Sequence, residues 1–394
     1  MTLTNYLLNA YIDANILLIF AFGVWALARF ILGRFGFSQA FGLQLKLLNG
    51  VFLAVAVSPF FCLAFDLLIE TGTVSQSYAV SLSDIVLAQY LNGGFAMQPS
   101  QLEYLLGIRS EMMTALVGFN TLGAMFVAAC VAIGFSVGLF RILRSMLALN
   151  NIIGRSYAWR QFGNLHLRLS DTNHVPFSTR SLRRRYIVLP SAMLGQSDDL
   201  KMALAHEFQH LRQGDVEWEI ALEALRPLFF WNPVFIFWKR QVDQLRELSC
   251  DQQVLARNNY DVKAYCECLF RVCRNSLRQD SRQLVLISSV PFAQIDKSLL
   301  GVNSAAFLRR RMTSVFDAKK VPQGRGLSGV LSVFLMGLVI SISVAMTNQG
   351  DWSQDRLMLS AIVNLEREDP ALNIQGLVAA TLCGMTPVRR SKYL

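Results

Sequence analysis

The sequence predicts a mainly α, polytopic membrane protein, with about four transmembrane helices and a cytoplasmic α+β domain between the third and the fourth. Three observations carry this. Of the 394 residues, 53% are hydrophobic and 16% charged, a balance too apolar for an ordinary soluble domain. Four apolar runs are each long enough to cross the roughly 30 Å of hydrocarbon in a bilayer. The net charge of +10 is unevenly spread, with most of the Lys and Arg between Arg141 and Arg325.

The first run, Ile12 to Leu32, is charged at Asp13 near its start and Arg29 near its end. Met1 to Asn9 lacks the basic opening of a cleaved secretion signal. Leu47 to Leu68 forms the second span; its internal Pro59 is tolerated where neighbouring helices satisfy the freed backbone groups. Glu70 to Met112 is polar and carries Arg109 as its one basic residue. Thr114 to Phe140 is the third span, rich in Gly and Ala as packed membrane helices are. Gly326 to Met346 is the fourth, and in the tail beyond it Ile374 to Leu382 is too short to cross.

The link between the first two spans carries Arg29, Arg34 and Lys46. Basic residues stay on the cytoplasmic side, which places both termini outside and the basic middle region inside a bacterial-type inner membrane. The expected organisation is a three-span membrane region over 1–140, a cytoplasmic domain over 141–325, the fourth span at 326–346 and a short extracytoplasmic tail at 347–394. No nucleic-acid-binding module is recognisable, so no direct nucleic-acid partner is expected. Seven cysteines, odd in number and scattered, do not make a disulfide framework. Cys266, Cys268 and Cys273 share one helical segment but lack a second ligand pair, and are read as packing thiols.

Within the middle domain, Leu165 to Leu169 alternates and Tyr186 to Pro190 is a short β-prone run, which predicts a small sheet. His206-Glu207-Phe208-Gln209-His210 follows. Ser197 is the expected N-cap of its helix, Asp198 and Asp199 suit the positive end of the dipole, and Gly214 suits the C-terminal stop. Histidines four apart on a helix project from one face and can share a Zn²⁺, with Glu207 placed to act as base on a water at the metal. Two solvated histidines on a surface helix would give the same spacing.

A catalytic zinc takes three protein ligands. Asn232-Pro233 opens a second helical pattern, with Asn as cap and Pro in the first turn. On it Glu247 and Asp251 lie four apart, a carboxylate for the metal and one to hold a histidine from behind. The apolar stretch Leu225 to Trp238, with its six aromatic residues from Phe229 onward, suits a buried or interfacial segment seating the domain against the bilayer. The clusters Arg309-Arg310-Arg311 and Lys319-Lys320 read as exposed contacts to anionic headgroups.

The order His206-Glu207-x-x-His210, Arg212, Asp215, Trp231-Asn232-Pro233 and Arg246-Glu247-Leu248-Ser249-Cys250-Asp251 resembles the BlaR/MecR family of membrane-bound zinc metallopeptidases. The likeness is close over roughly residues 155 to 260 and extends to the layout of the spans. One departure is that 176–185 has no glycine where family members often carry one. The resemblance implies a gluzincin-like zinc protease domain, with His206, His210 and Glu247 as zinc ligands, Glu207 as base, Asp251 in support and Asp215 in a structural role. It further implies signal transduction by cleavage of a cytoplasmic transcriptional repressor, and self-cleavage before the last span, for which Ser288 to Lys320 is the candidate stretch. The tail has no S-x-x-K nucleophile of the penicillin-binding sensor found in the best-known members.

In zinc proteases of this general kind an edge strand pairs with the extended substrate. Tyr186 to Leu189 is the candidate here, with Tyr186 and Val188 as the substrate-binding residues. Expected partners are a protein or peptide substrate and membrane lipid, with a homo-oligomer left open. The rival readings are a quality-control or processing protease of the HtpX or CAAX-protease type, and a non-catalytic membrane receptor.

Overall fold

The computed structural model describes residues 3–72, 82–94, 97–118, 121–181, 183–257, 260–278, 290–291, 302–316, 325–347 and 354–368. Lys319-Lys320 and Ile374 to Leu382 lie outside them, as does most of the linker part of Ser288 to Lys320. Among the described residues four helices are long and apolar enough to cross a membrane. They belong to α1 (Leu3–Arg34), α2 (Phe41–Glu70), α5 (Leu122–Arg155) and the penultimate helix, α11 (Arg325–Thr347). The third span differs from the expectation in starting at Leu122. Thr114 to Gly118 instead end the shorter α4 (Pro99–Gly118), and α5 runs on to Arg155.

The chain divides into two compact units. The first comprises Met1–Ala14, Val57–Met125 and Ile340–Leu394. Its core joins α3 (Leu82–Leu91), α4 and α12 (Gln354–Glu368) through buried Leu87, Leu102, Leu359 and Val363. The polar segment between the second and third spans therefore packs with the helix that follows the fourth.

The second unit, Asn15–Ala56 with Phe126–Val339, holds the sheet and the two motif helices. Its strands are β1 (Tyr157–Phe162), β2 (Leu165–Ser170), β3 (Phe177–Arg180), β4 (Arg185–Pro190) and a two-residue β5 (Val290–Pro291), in the order β1-β2-β4-β3-β5. β2 and β4 run parallel, and the other pairs are antiparallel. The expectation that Tyr186 to Leu189 is an edge strand is corrected: β4 is central, hydrogen-bonded on one side to β2 and on the other to β3. Its residues from Tyr186 to Pro190 are accordingly all buried, as a strand covered on both faces must be.

α6 (Ser197–Gln213) lies between two apolar layers. Leu211 joins Leu167, Ile187 and Leu189 of the sheet, while Met202 and Ala203 join Cys250, Val254 and Tyr265 of α8 (Pro233–Arg257) and α9 (Val262–Arg278). Ser197 is the first residue of the helix and not its cap, since the preceding Gln196 makes no side-chain cap bond. Gly214 ends it at φ 77°, a left-handed conformation that costs glycine little, and α7 (Asp215–Leu225) begins at once. Asn232 caps α8 as expected, its Oδ1 accepting from the Val234 amide at 3.0 Å.

The aromatic stretch before and into α8 seats the domain on membrane helices. Trp238 packs against Phe22 and Phe52 at 5.7 Å between ring centroids, and Phe235 also meets Phe52. Asn232 Nδ2 donates to the carbonyl of Asn15. Gly134 and Gly138 of α5 make room for Phe230 and Pro227, whose atoms would collide with any side chain there. This is the small-residue spacing by which membrane helices admit close neighbours.

Candidate metal centre

His206, Glu207 and His210 on α6, with Glu247 and Asp251 on α8, come together and are all fully buried, which removes the reading of two solvated histidines. The two imidazole Nε2 atoms are 3.0 Å apart. Glu247 faces both, Oε2 lying 3.6 Å from His206 Nε2 and Oε1 3.6 Å from His210 Nε2.

The other ring nitrogens are anchored. His210 Nδ1 donates to Asp215 Oδ2 at 2.7 Å. His206 Nδ1 lies 2.9 Å from the Tyr265 hydroxyl and 3.3 Å from Asp251 Oδ1. That hydroxyl itself donates to Asp251 Oδ1 at 2.8 Å, so its oxygen is the acceptor for His206. With each Nδ1 anchored in this way, the neutral imidazoles would carry their proton there and turn their Nε2 lone pairs towards one another. Glu247 is ion-paired through Oε2 with Arg311 Nη1 at 3.0 Å. Two facing lone pairs and a buried carboxylate suit a cation such as Zn²⁺, so these residues fit the metal. Cys250 offers a second arrangement: donor atoms of His206, His210 and Cys250 lie within 4.8 Å of one another. Its Sγ, however, sits 3.6 Å from His206 Nδ1, the nitrogen already committed to hydrogen bonding.

The surroundings favour positive charge at the imidazoles. Burial opposes it, but Cys250 and Asp215 lift the His210 pKa to about 10. His206 is also raised well above its ordinary value: against the effect of burial stand Cys250, Tyr265 and Asp251. Glu207 has the opposite problem. Burial drives its pKa up to about 7 against the pull of His210, His206 and the Ser178 hydroxyl.

Sequence reasoning missed three supports. Asp215 does for His210 what Asp251 does for His206, an orienting role beyond the structural one expected. Tyr265 links His206 to Asp251. Arg311, on α10 (Val302–Phe316), was expected to be exposed and is instead buried, with Nε and Nη2 donating to Asp251 and Nη1 3.0 Å from Glu247 Oε2. Against burial, Arg311 is first among the causes that hold Glu247 below its ordinary pKa, and likewise Asp251. Below the site Arg246 Nη1 donates to Glu219 Oε2 at 2.7 Å and Nη2 to Asp243 at 3.0 Å, and Lys239 also pairs with Glu219.

The expected substrate residues do not fit. Val188 is wholly buried, and Tyr186 packs its ring on His166 of β2 at 5.4 Å. The strand on the outer side of β4 is β3, next to α6, and β5 pairs along its free edge, Ser178 opposite Val290 and Phe177 opposite Pro291.

No curated protein matches the chain. The family model for the BlaR1 peptidase M56 matches residues 6–287, from the first membrane helix through the motif helices to the linker beyond α9. A paired-histidine helix, its facing carboxylate helix and the first three apolar spans fall within that match, and the chain belongs to the BlaR1 peptidase M56 family.

Proposed function

We propose that this protein is a membrane zinc metalloendopeptidase whose site faces the cytoplasm, with His206, His210 and Glu247 as metal ligands and Glu207 as general base. The observation that carries it is the pair of Nε2 atoms 3.0 Å apart, faced by both oxygens of Glu247. A zinc ion held there would polarise a peptide carbonyl and acidify a water. Glu207 would take a proton from the attacking water as its oxygen adds to the carbonyl carbon, and would pass it to the amine nitrogen as the C–N bond breaks. Asp215 and the Tyr265–Asp251 pair keep each Nδ1 protonated, so that each Nε2 stays available.

The substrate backbone would add to the free edge of β3. That edge is used by the chain's own β5, which supports self-processing in the linker after α9 as one reaction, and release of β5 as the step that admits another protein. Cleavage of a cytoplasmic repressor in response to an outside signal is the role the family suggests. The packing of α12 with α3 and α4 agrees with both termini lying outside.

The test is Glu207→Gln. It should keep the protein folded and its zinc content at one per chain, while peptide-bond cleavage, of itself or of an added substrate, falls by a factor of about 10²–10⁴. Activity equal to wild type in the zinc-loaded variant would remove Glu207 from the mechanism.

A further inference from the structure

Basic residues at the end of a membrane span are expected whatever a protein does. Here two of them, with a third arginine from α10, converge on one cavity. It has a volume of about 710 Å³ and is formed by the end of α1, the turn into α2 and one face of α10. Arg29, Arg34 and Arg310 all line it, together with the apolar walls of Phe30 and Phe41. None of its lining residues is acidic.

The cations are not neutralised by one another's partners. Arg29 donates to the neutral amide of Gln241 at 2.7 Å and stacks over Trp25. Arg310 stacks over Phe41, 5.9 Å from the ring centre, and repels Arg29. Arg34 is exposed in the last turn of α1. Gln44 adds a need of the opposite kind. Its Nε2 is bound by the Phe37 and Ser38 carbonyls, which fixes the amide's orientation, and its buried Oε1 has no hydrogen-bond partner. The cavity therefore asks for an anion, a hydroxyl donor and some apolar surface, at the level where a span ends.

We propose that this cavity binds the headgroup of an anionic, hydroxyl-bearing glycerophospholipid, the phosphate meeting Arg34, Arg310 and Arg29, and a headgroup hydroxyl meeting Gln44. The binding is independent of hydrolysis, but its position matters to the site. Arg310 lines the cavity while the next residue, Arg311, holds Asp251 and Glu247. A headgroup drawn onto Arg310 thus steadies the helix that braces the metal centre.

The experiment is native mass spectrometry of the full chain, released from bilayers containing equal phosphatidylglycerol and phosphatidylcholine. Wild type should retain phosphatidylglycerol in preference, at least roughly tenfold. The double variant Arg34→Gln/Arg310→Gln should weaken that retention roughly 30-fold, at about fivefold per arginine. Zinc content equal to wild type shows that the variant's metal centre is intact; if zinc falls, Arg34→Gln alone, on a different helix from Arg311, replaces it with an expected fivefold loss. Equal retention of both lipids, or undiminished retention in the variant, overturns the proposal. So does competition by millimolar inorganic phosphate that strips the lipid completely, which would make the cavity a site for free phosphate. Failure of Glu207→Gln to abolish cleavage would leave all these readings untouched.

Discussion

Arg311 grips Asp251 by two hydrogen bonds of 2.8 Å, one from Nε and one from Nη2, across sixty residues of sequence. The forked contact leaves Nη1 for Glu247 at 3.0 Å. One guanidinium thus balances two buried carboxylates, and the candidate metal site draws on five helices, α6 to α10.

Arg311→Met should be strongly destabilising. Removing one partner of a buried ion pair leaves uncompensated charge and costs about 3–5 kcal/mol. Arg311→Lys should recover less than half of that, because an ammonium lacks the fork. Denaturant unfolding of the detergent-solubilised protein measures both, and a loss under about 1 kcal/mol for the methionine variant would contradict the role.

The third ligand is decided by comparing two neighbours on α8. Glu247→Ala should lose bound zinc, because two imidazoles alone hold it weakly, while Cys250→Ala should keep it. Metal analysis after dialysis is the readout. The reverse pattern would assign the ligand set to His206, His210 and Cys250.

As the proposed general base, Glu207 would set the acid side of the pH profile. It works as a base when ionised, so activity rises with pH and falls as pH drops through its pKa. Burial places that pKa at about 7, and a cation at the imidazoles would favour the carboxylate and lower it. The acid limb of kcat/KM should therefore have its midpoint at or below about pH 7. A midpoint more than about a unit higher would assign the limb to another group.

Glu219 makes a stability prediction independent of metal. Burial opposes its ionisation, but Lys239 and Arg246 outweigh burial and depress its pKa to about 2. A depressed carboxylate contributes stability that is full above its unfolded value, near 4.3, and is lost as pH falls towards the folded value. Wild type should lose stability between about pH 4 and pH 2, and Glu219→Gln should start lower and lose less over that window. Thermal unfolding across those pH values tests it, and parallel curves would exclude the linkage.

What the sequence determined by itself is what depends on local spacing. A 3.6-residue period puts His206 and His210 on one face, and Glu247 and Asp251 on another, whatever surrounds them. Apolar length alone marks four spans, and Asn232 before Pro233 caps α8 by chemistry confined to three residues. Tertiary structure decided everything that depends on which elements become neighbours. β4 reads as a strand in sequence, but its central place follows from pairing with β2 and β3, which leaves the outer side of β3 to pair with β5. Arg311 reads as one of three exposed arginines because its sequence neighbours are basic; packing of α10 on α8 buried it against two carboxylates. Tyr265 belongs to no motif, and the contact of Asp215 with His210, like that of Tyr265 with His206, arose from ring nitrogens brought to them by folding. Long-range pairing of polar groups leaves no periodic trace, because each partner's spacing is set by a different helix.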